Sequence, residues 1–237
     1  MQGVVMMKFL DKKTSQAIIL FLIFTVVPLL YSSGYRLSAY QAAENHFSVK
    51  GKDPQLFDKV ELDWGTVFLF DTKEVPHTVL SHKTFGFLWR APAATRALTF
   101  DDAVKAVGWM RYFHKNDAQV TVLAVRSSDP DVAYIEAGPL EHRTRKIIES
   151  ESHVIFYWPD LSPSNGNQLN AVALSEEGET LYEYRYSEEN AFRTEELRFY
   201  PIRKGMASDS QIQIKPTEEE SQPLQKSWEF VTTTMIY

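Results

Sequence analysis

The pattern of apolar and polar positions opens with a run that carries no charge, Ala17–Leu30 (AIILFLIFTVVPLL), with Lys8, Lys12 and Lys13 before it and Tyr31-Ser32-Ser33-Gly34-Tyr35 after it. A helix rises about 1.5 Å per residue, so Ala17–Leu30 covers about 21 Å of a hydrocarbon layer about 30 Å thick, and an extension over Thr14–Tyr31 covers about 27 Å. A run of this kind serves either as a retained anchor or as the apolar core of a cleaved signal peptide. Tyr31 and Tyr35 suit interfacial aromatics and no A-x-A site follows, which favours the anchor; Pro28 and Ser32-Ser33-Gly34 suit a peptidase. Lysines ahead of the run predict a cytoplasmic N-terminus, a single pass through the cell membrane, and a C-terminal part outside it. That part is secreted if the segment is cut.

Beyond the run the period changes. Ser38-Ala39-Tyr40-Gln41 has the form of a capping box and predicts a short helix ending near His46 or Phe47. Strand patterns follow at Gly65–Phe70, Pro76–Ser81 and Thr84–Trp89, joined by connections too short for crossovers, so they predict an antiparallel meander. Thr99-Phe100-Asp101-Asp102 predicts an N-cap leading into a helix at Ala103–Val107. Val120–Arg126 and Val132–Glu136 read as strands around a turn at Asp129-Pro130-Asp131, and Pro139–Ile148 as a short helix or irregular arm. His153–Trp158, Leu169–Leu174, Thr180–Tyr186 and Glu195–Tyr200 complete the strands, with a polar loop at Pro159–Gln168 and a turn at Glu176–Glu179.

The expected fold class is α+β: an N-terminal transmembrane helix followed by an antiparallel-sheet domain with short helices. Strand, loop, strand, turn, strand recurs in both parts, which leaves open a repeat of two related meander halves. The expected organisation is a cytoplasmic stub and anchor over 1–36, an exported domain over 37–205 (halves 37–98 and 99–205), and a tail over 206–237. The tail, rich in Ser, Gln, Glu and Pro, buries too little to order itself, and its final Phe230–Tyr237 run reads as an edge strand or as unstructured.

Composition narrows the chemistry. Cysteine is absent, which excludes disulfides, thiolate metal sites and lipid attachment through a thioether. The net charge of −6, with several of the basic residues lying around the apolar run, argues against nucleic acid as a partner.

The six histidines (His46, His77, His82, His114, His142, His153) form no H-E-x-x-H spacing, and His77 and His82, five residues apart on one strand, fall on opposite faces. No metal or cofactor is expected. Asp101-Asp102 and Asp129-x-Asp131 have structural explanations in capping and turn formation, and the calcium-loop pattern is absent around them. No G-x-S-x-G elbow and no phosphate-binding glycine loop occurs. The aromatics are the most suggestive groups. Phe85, Phe87 and Trp89 alternate along one segment, and Tyr182, Tyr184 and Tyr186 along another, patterns that serve either a buried sheet face or an exposed binding face. Tyr182–Tyr186 is the stronger candidate of the two, since Glu183 and Arg185 mark its other face as solvated. On His153–Trp158, Phe156 and Trp158 share one face, with Ile155 and Tyr157 opposite.

Asp63–Phe70 (DWGTVFLF), Thr84–Trp89 (TFGFLW) and Leu181–Tyr186 (LYEYRY) together give the chain a resemblance. It resembles uncharacterised single-pass or lipoprotein-like envelope proteins of Bacillus-type Gram-positive bacteria. The resemblance implies an envelope location and a small exported α+β domain, and it supplies no activity and no site residues. The expected function is that of a membrane-anchored extracytoplasmic protein that binds a protein, peptide or cell-wall component. The alternatives are a small hydrolase whose site assembles from distant residues, and an inhibitor-like partner of an exported enzyme.

Overall fold

The computed structural model describes residues 12–98, 101–114, 118–139, 143–159, 169–187 and 197–202. The chain begins with α1 (Lys12–Ser32) and α2 (Ala39–Glu44). Twelve strands follow among the described residues: β1 (Gln55–Leu62), β2 (Gly65–Asp71), β3 (His77–Thr84), β4 (Leu88–Arg96), β5 (Val104–Phe113), β6 (Gln119–Ser127), β7 (Tyr134–Ala137), β8 (Thr144–Ile147), β9 (His153–Trp158), β10 (Val172–Leu174), β11 (Thr180–Arg185) and β12 (Arg198–Pro201). The expected tail over 206–237 and most of the Pro159–Gln168 loop lie outside the described residues.

The 21 residues of α1 rise about 32 Å, enough to cross a hydrocarbon layer. No residue of its Ser15–Ser32 stretch is buried among the described residues. Pro28 lacks an N–H and so withholds one ladder bond from the helix. Hydroxyls bond to carbonyls nearby: Thr25 Oγ1 donates to Phe21 O at 2.8 Å and Ser33 Oγ to Leu29 O at 2.8 Å. The hydroxyls of the helix are thus satisfied within it, as an apolar surround favours.

All the strand pairings are antiparallel, and they form three sheets among the described residues. The first is the meander β1-β2-β3-β4, the second β5-β6-β9, and the third β12-β11-β10-β7-β8. They stack in layers, and the side chains show the order. On β2, Phe68 and Phe70 face α2 with Ala43, Val49 and Val79, while Val67 and Leu69 face the second sheet. On β6, Val120, Val122 and Ala124 face the first sheet, while Leu123 and Val125 face the third. Strands buried on both faces read as continuous apolar runs rather than alternations, which explains why GTVFLF and VTVLAV stood out. The largest core lies between the second and third sheets, where Phe156, Leu169, Ile135 and Phe199 are almost fully buried.

Two glycines are set by close approach. A Cβ on Gly108 would stand 2.5 Å from Leu69 Cδ2 and 3.1 Å from Ala124 Cβ, and one on Gly65 would stand 2.6 Å from the Ser81 carbonyl oxygen. Gly108 closes a bulge in β5, where Ala106 pairs with Val125 and Gly108 with Ala124, leaving Val107 without a partner and turned towards the first sheet.

Several expectations are corrected. Asp101-Asp102 caps no helix: the chain enters β5 at Val104, and Asp102 Oδ2 faces Arg198 Nη1 at 3.6 Å. The bulge and the double burial of β5 hid its alternation. Thr144–Ile147, expected as helix or arm, is the edge strand β8. Thr84–Trp89 is a turn rather than a strand: Thr84 pairs with Leu88 and Lys83 with Trp89, so Phe85, Gly86 and Phe87 form the tip of the β3–β4 hairpin. The second meander of the proposed repeat is not one sheet, because β9 belongs to the second sheet and β10–β11 to the third. The N-cap half of the capping box, by contrast, forms as expected, with Ser38 Oγ accepting from the Gln41 N–H at 3.2 Å, and the helix ends at Glu44, two residues short of His46.

Candidate functional site

The two aromatic groups singled out by pattern end in different places. Tyr184 is buried, with its ring 5.0 Å from that of Phe199. Tyr182 and Tyr186 pack beside it against the same core. Tyr184 is thus part of the core, and Tyr182 and Tyr186 stay partly exposed beside it on the face that the third sheet turns towards the second. Tyr182 Oη donates to Asp129 Oδ2 at 2.6 Å, and that bond, followed by burial, pushes its phenol up to about 12. Asp129 Oδ1 accepts from the Asp131 N–H at 2.9 Å. Both oxygens of Asp129 thus serve the turn and its link to β11. Phe85 and Phe87 are exposed at the hairpin tip, and Trp89 lies half-buried below them.

The histidines scatter. His46 and His77 lie on the α2 side of the first sheet; His82 lies on the other side, its ring 5.0 Å from that of His114. Burial lowers His46 to about 4, helped by its neighbour His77, which is itself lowered by burial. His46 Nδ1 accepts from the Ser48 N–H at 3.3 Å and shares a bond with Ser48 Oγ at 2.8 Å, an arrangement suited to the neutral ring. Among the described residues, no group of three or more metal-ligating side chains gathers.

What the topology does bring together is a set of edges. Among the described residues β1 pairs only with β2, β9 only with β6, and β8 only with β7. All three meet at an open groove of about 340 Å³, lined by Asp58, Lys59, Val60 and Glu61 of β1, Ile155 and Tyr157 of β9, and Lys146 of β8. Lys146 Nζ donates to the Ile155 carbonyl at 2.5 Å, so β8 meets β9 through a side chain and not a ladder.

A bulge in β1 shapes this groove. Leu56 pairs with Phe70 and Asp58 with Leu69, which leaves Phe57 as the extra residue. Phe57 and Val60, three apart, both face the second sheet, which period 2 alone forbids. The same bulge aims Asp58 at β9. Its Oδ2 sits 3.0 Å from His153 Nε2, while its Oδ1 accepts the Lys59 N–H at 2.7 Å. That N–H belongs to the outer edge of the strand, so an acidic side chain occupies a donor that a neighbouring strand would otherwise use. The Phe57 ring meets His153 edge-on at 5.0 Å, and the Arg126 guanidinium, 5.3 Å from the same ring, holds Asp71 at 2.9 Å. The first and second sheets are therefore clamped together just behind the groove.

Chemically the groove offers backbone donors and acceptors, an apolar strip from Val60, Ile155 and Tyr157, and charges of both signs. Asp58, Lys59, Lys146 and the Asp58–His153 pair were not visible as a site in the sequence, since the partners lie 95 residues apart. One signal was available: Phe57 stands three residues ahead of Val60 and five ahead of Leu62, an odd spacing that a hairpin arm leading into Asp63-Trp64-Gly65 and the apolar β2 meets only with one residue too many. Tyr157 and Ile155 are placed as their alternation with Phe156 and Trp158 predicts, outside the core that those two fill. No protein-family model matches this chain, and comparisons with curated proteins and with solved structures find no match for it.

Proposed function

We propose that this chain is a membrane-anchored extracytoplasmic binding protein that takes up an extended peptide segment along the groove between β1 and β9. The observation that carries this reading is the convergence on one open groove of three strand edges that have no second ladder partner among the described residues, in a chain headed by an apolar helix long enough to cross a membrane. An extended peptide adds to a sheet edge by main-chain hydrogen bonds, and alternate side chains enter the flanking pockets. Val60, Ile155 and Tyr157 supply the apolar strip for one side of such a strand. Lys59, Glu61 and Lys146 discriminate by charge, and they also keep the edge from pairing with other copies of the chain. Lys8, Lys12 and Lys13, ahead of the apolar stretch of α1, support a cytoplasmic N-terminus and an exported domain.

The test is selection of a displayed random-peptide library against the full chain in lipid nanodiscs. Enrichment of extended, β-branched or aromatic peptides is expected, with binding lost in Glu61→Pro, which removes an N–H on the outer edge of β1, and weakened in Tyr157→Ala. Peptides that bind all three proteins equally contradict the groove as the site. A second reading, hydrolysis, draws on the Asp58–His153 pair alone. It predicts turnover of an ester or peptide substrate panel that His153→Ala abolishes, where the binding reading predicts no turnover.

A further inference from the structure

We infer that the tip of the β3–β4 hairpin, Phe85-Gly86-Phe87, inserts into the interfacial zone of the membrane that α1 crosses, so that the domain lies against the bilayer at a second point. The inference rests on α1 being a membrane span. Phe85 and Phe87 are 72% and 66% exposed, an unusual position for two phenylalanines in water. Phe85 also has φ +52, followed by Gly86 at φ +78. Left-handed positions in hairpin turns favour Asn, Asp or Gly, and a bulky aromatic there is an outlier. The tip thus accepts backbone strain and apolar exposure together, where an asparagine would relieve both. Such a combination marks a functional constraint rather than a folding one.

The position of the tip names its partner. α1 ends at Ser32, and within a few residues the chain is stitched to this hairpin: Arg36 and Trp89 exchange backbone bonds of 2.8 Å in both directions. The Tyr35 ring lies 6.3 Å from that of Phe85. Leu37, the next residue along, is 77% exposed. The end of the span and the hairpin tip therefore share one level of the molecule.

Cations fold over aromatics at that level. Arg36 lies 3.9 Å from the Tyr31 ring, Arg90 5.7 Å from Tyr35 and Lys83 6.0 Å from Trp89, an arrangement of rings with charged ends that suits the boundary between acyl chains and headgroups. Asp63 stands in the β1–β2 turn at the same end of the sheet, since Gly65 pairs with His82. The charge there is mixed, so apolar insertion carries the contact and anionic lipid is not required.

The absence of cysteine makes the test clean. Single-cysteine full-length chains, Phe24→Cys in α1, Thr84→Cys at the tip and Tyr157→Cys in the groove, are spin-labelled in phosphatidylcholine vesicles, and their accessibilities to oxygen and to a water-soluble nickel complex are compared. The expected result is a deep label at Phe24, an aqueous label at Tyr157, and an oxygen-to-nickel ratio at Thr84 several-fold above that at Tyr157. Adding Phe85→Ser and Phe87→Ser should return the Thr84 label to the aqueous value. An aqueous Thr84 label with a deep Phe24 label overturns the inference alone, as does a ratio unmoved by the serines. An aqueous Phe24 label overturns the anchor, and the inference with it.

Discussion

His46 follows α2 as a neutral ring, its Nδ1 committed to Ser48 and a buried imidazole, His77, close enough to act on its charge. Protonation breaks the Ser48 arrangement and sets a positive charge beside His77, which already stands near Lys52 and Arg96, with Glu74 as a compensating charge. A histidine whose folded pKa lies near 4, below its unfolded value near 6.5, lends its full stability above pH 6.5 and loses it as pH falls towards 4. Discounted for the partial exposure of the ring, the loss between pH 7 and pH 4.5 is about 1–2 kcal/mol, measurable by urea unfolding at the two pH values and absent in His46→Gln. Tyr182 behaves in the opposite sense. Its raised phenol contributes below pH 10 and is lost as pH climbs towards about 12. Tyr182→Phe should cost about 1 kcal/mol at neutral pH by freeing one Asp129 oxygen, read as a lower denaturation midpoint. Gly108 is the most constrained position: Gly108→Val should destabilise by about 1–3 kcal/mol, because a side chain there has to displace Leu69 and Ala124 from between two sheets.

Among the elements, those with an unbroken apolar pattern or a cap were legible, and those interrupted by a bulge or wholly exposed were not. GTVFLF, VTVLAV and HVIFYW announced β2, β6 and β9 because their apolar side chains run without interruption or alternate cleanly. Ser38 announced α2 through its hydroxyl, and Ser38→Ala should lower stability by about 1 kcal/mol, measured by thermal or urea unfolding, through loss of the bond to the Gln41 N–H. β1 gave no period because Phe57 is an extra residue, and β5 gave none because Val107 is another. β8 is wholly exposed and carries almost no apolar pattern. Two of the three edges that form the groove thus belong to strands whose signal is weakest, and this is why the site was not legible while most of the core was. The tyrosine ladder packs against the core for the converse reason. A strand with polar residues on one side has an apolar side that a neighbouring sheet covers first.

At the scale of the molecule, three antiparallel sheets and a short helix pile into layers whose middle sheet is buried on both faces. Stacking of this kind leaves function to the rims, where strands end or lack a neighbour. One rim holds the β3–β4 tip beside the end of α1; another gathers around the groove the edges of β1, β9 and β8 that have no second ladder partner among the described residues. The central claim is that this groove receives an added strand. Backbone hydrogen exchange of the full chain in nanodiscs, with and without a peptide selected against it, tests that claim most directly. Slowed exchange confined to β1 around Lys59–Glu61 and to β9 around Ile155–Tyr157 is the predicted result. Protection that appears elsewhere, with those two edges unchanged, contradicts it.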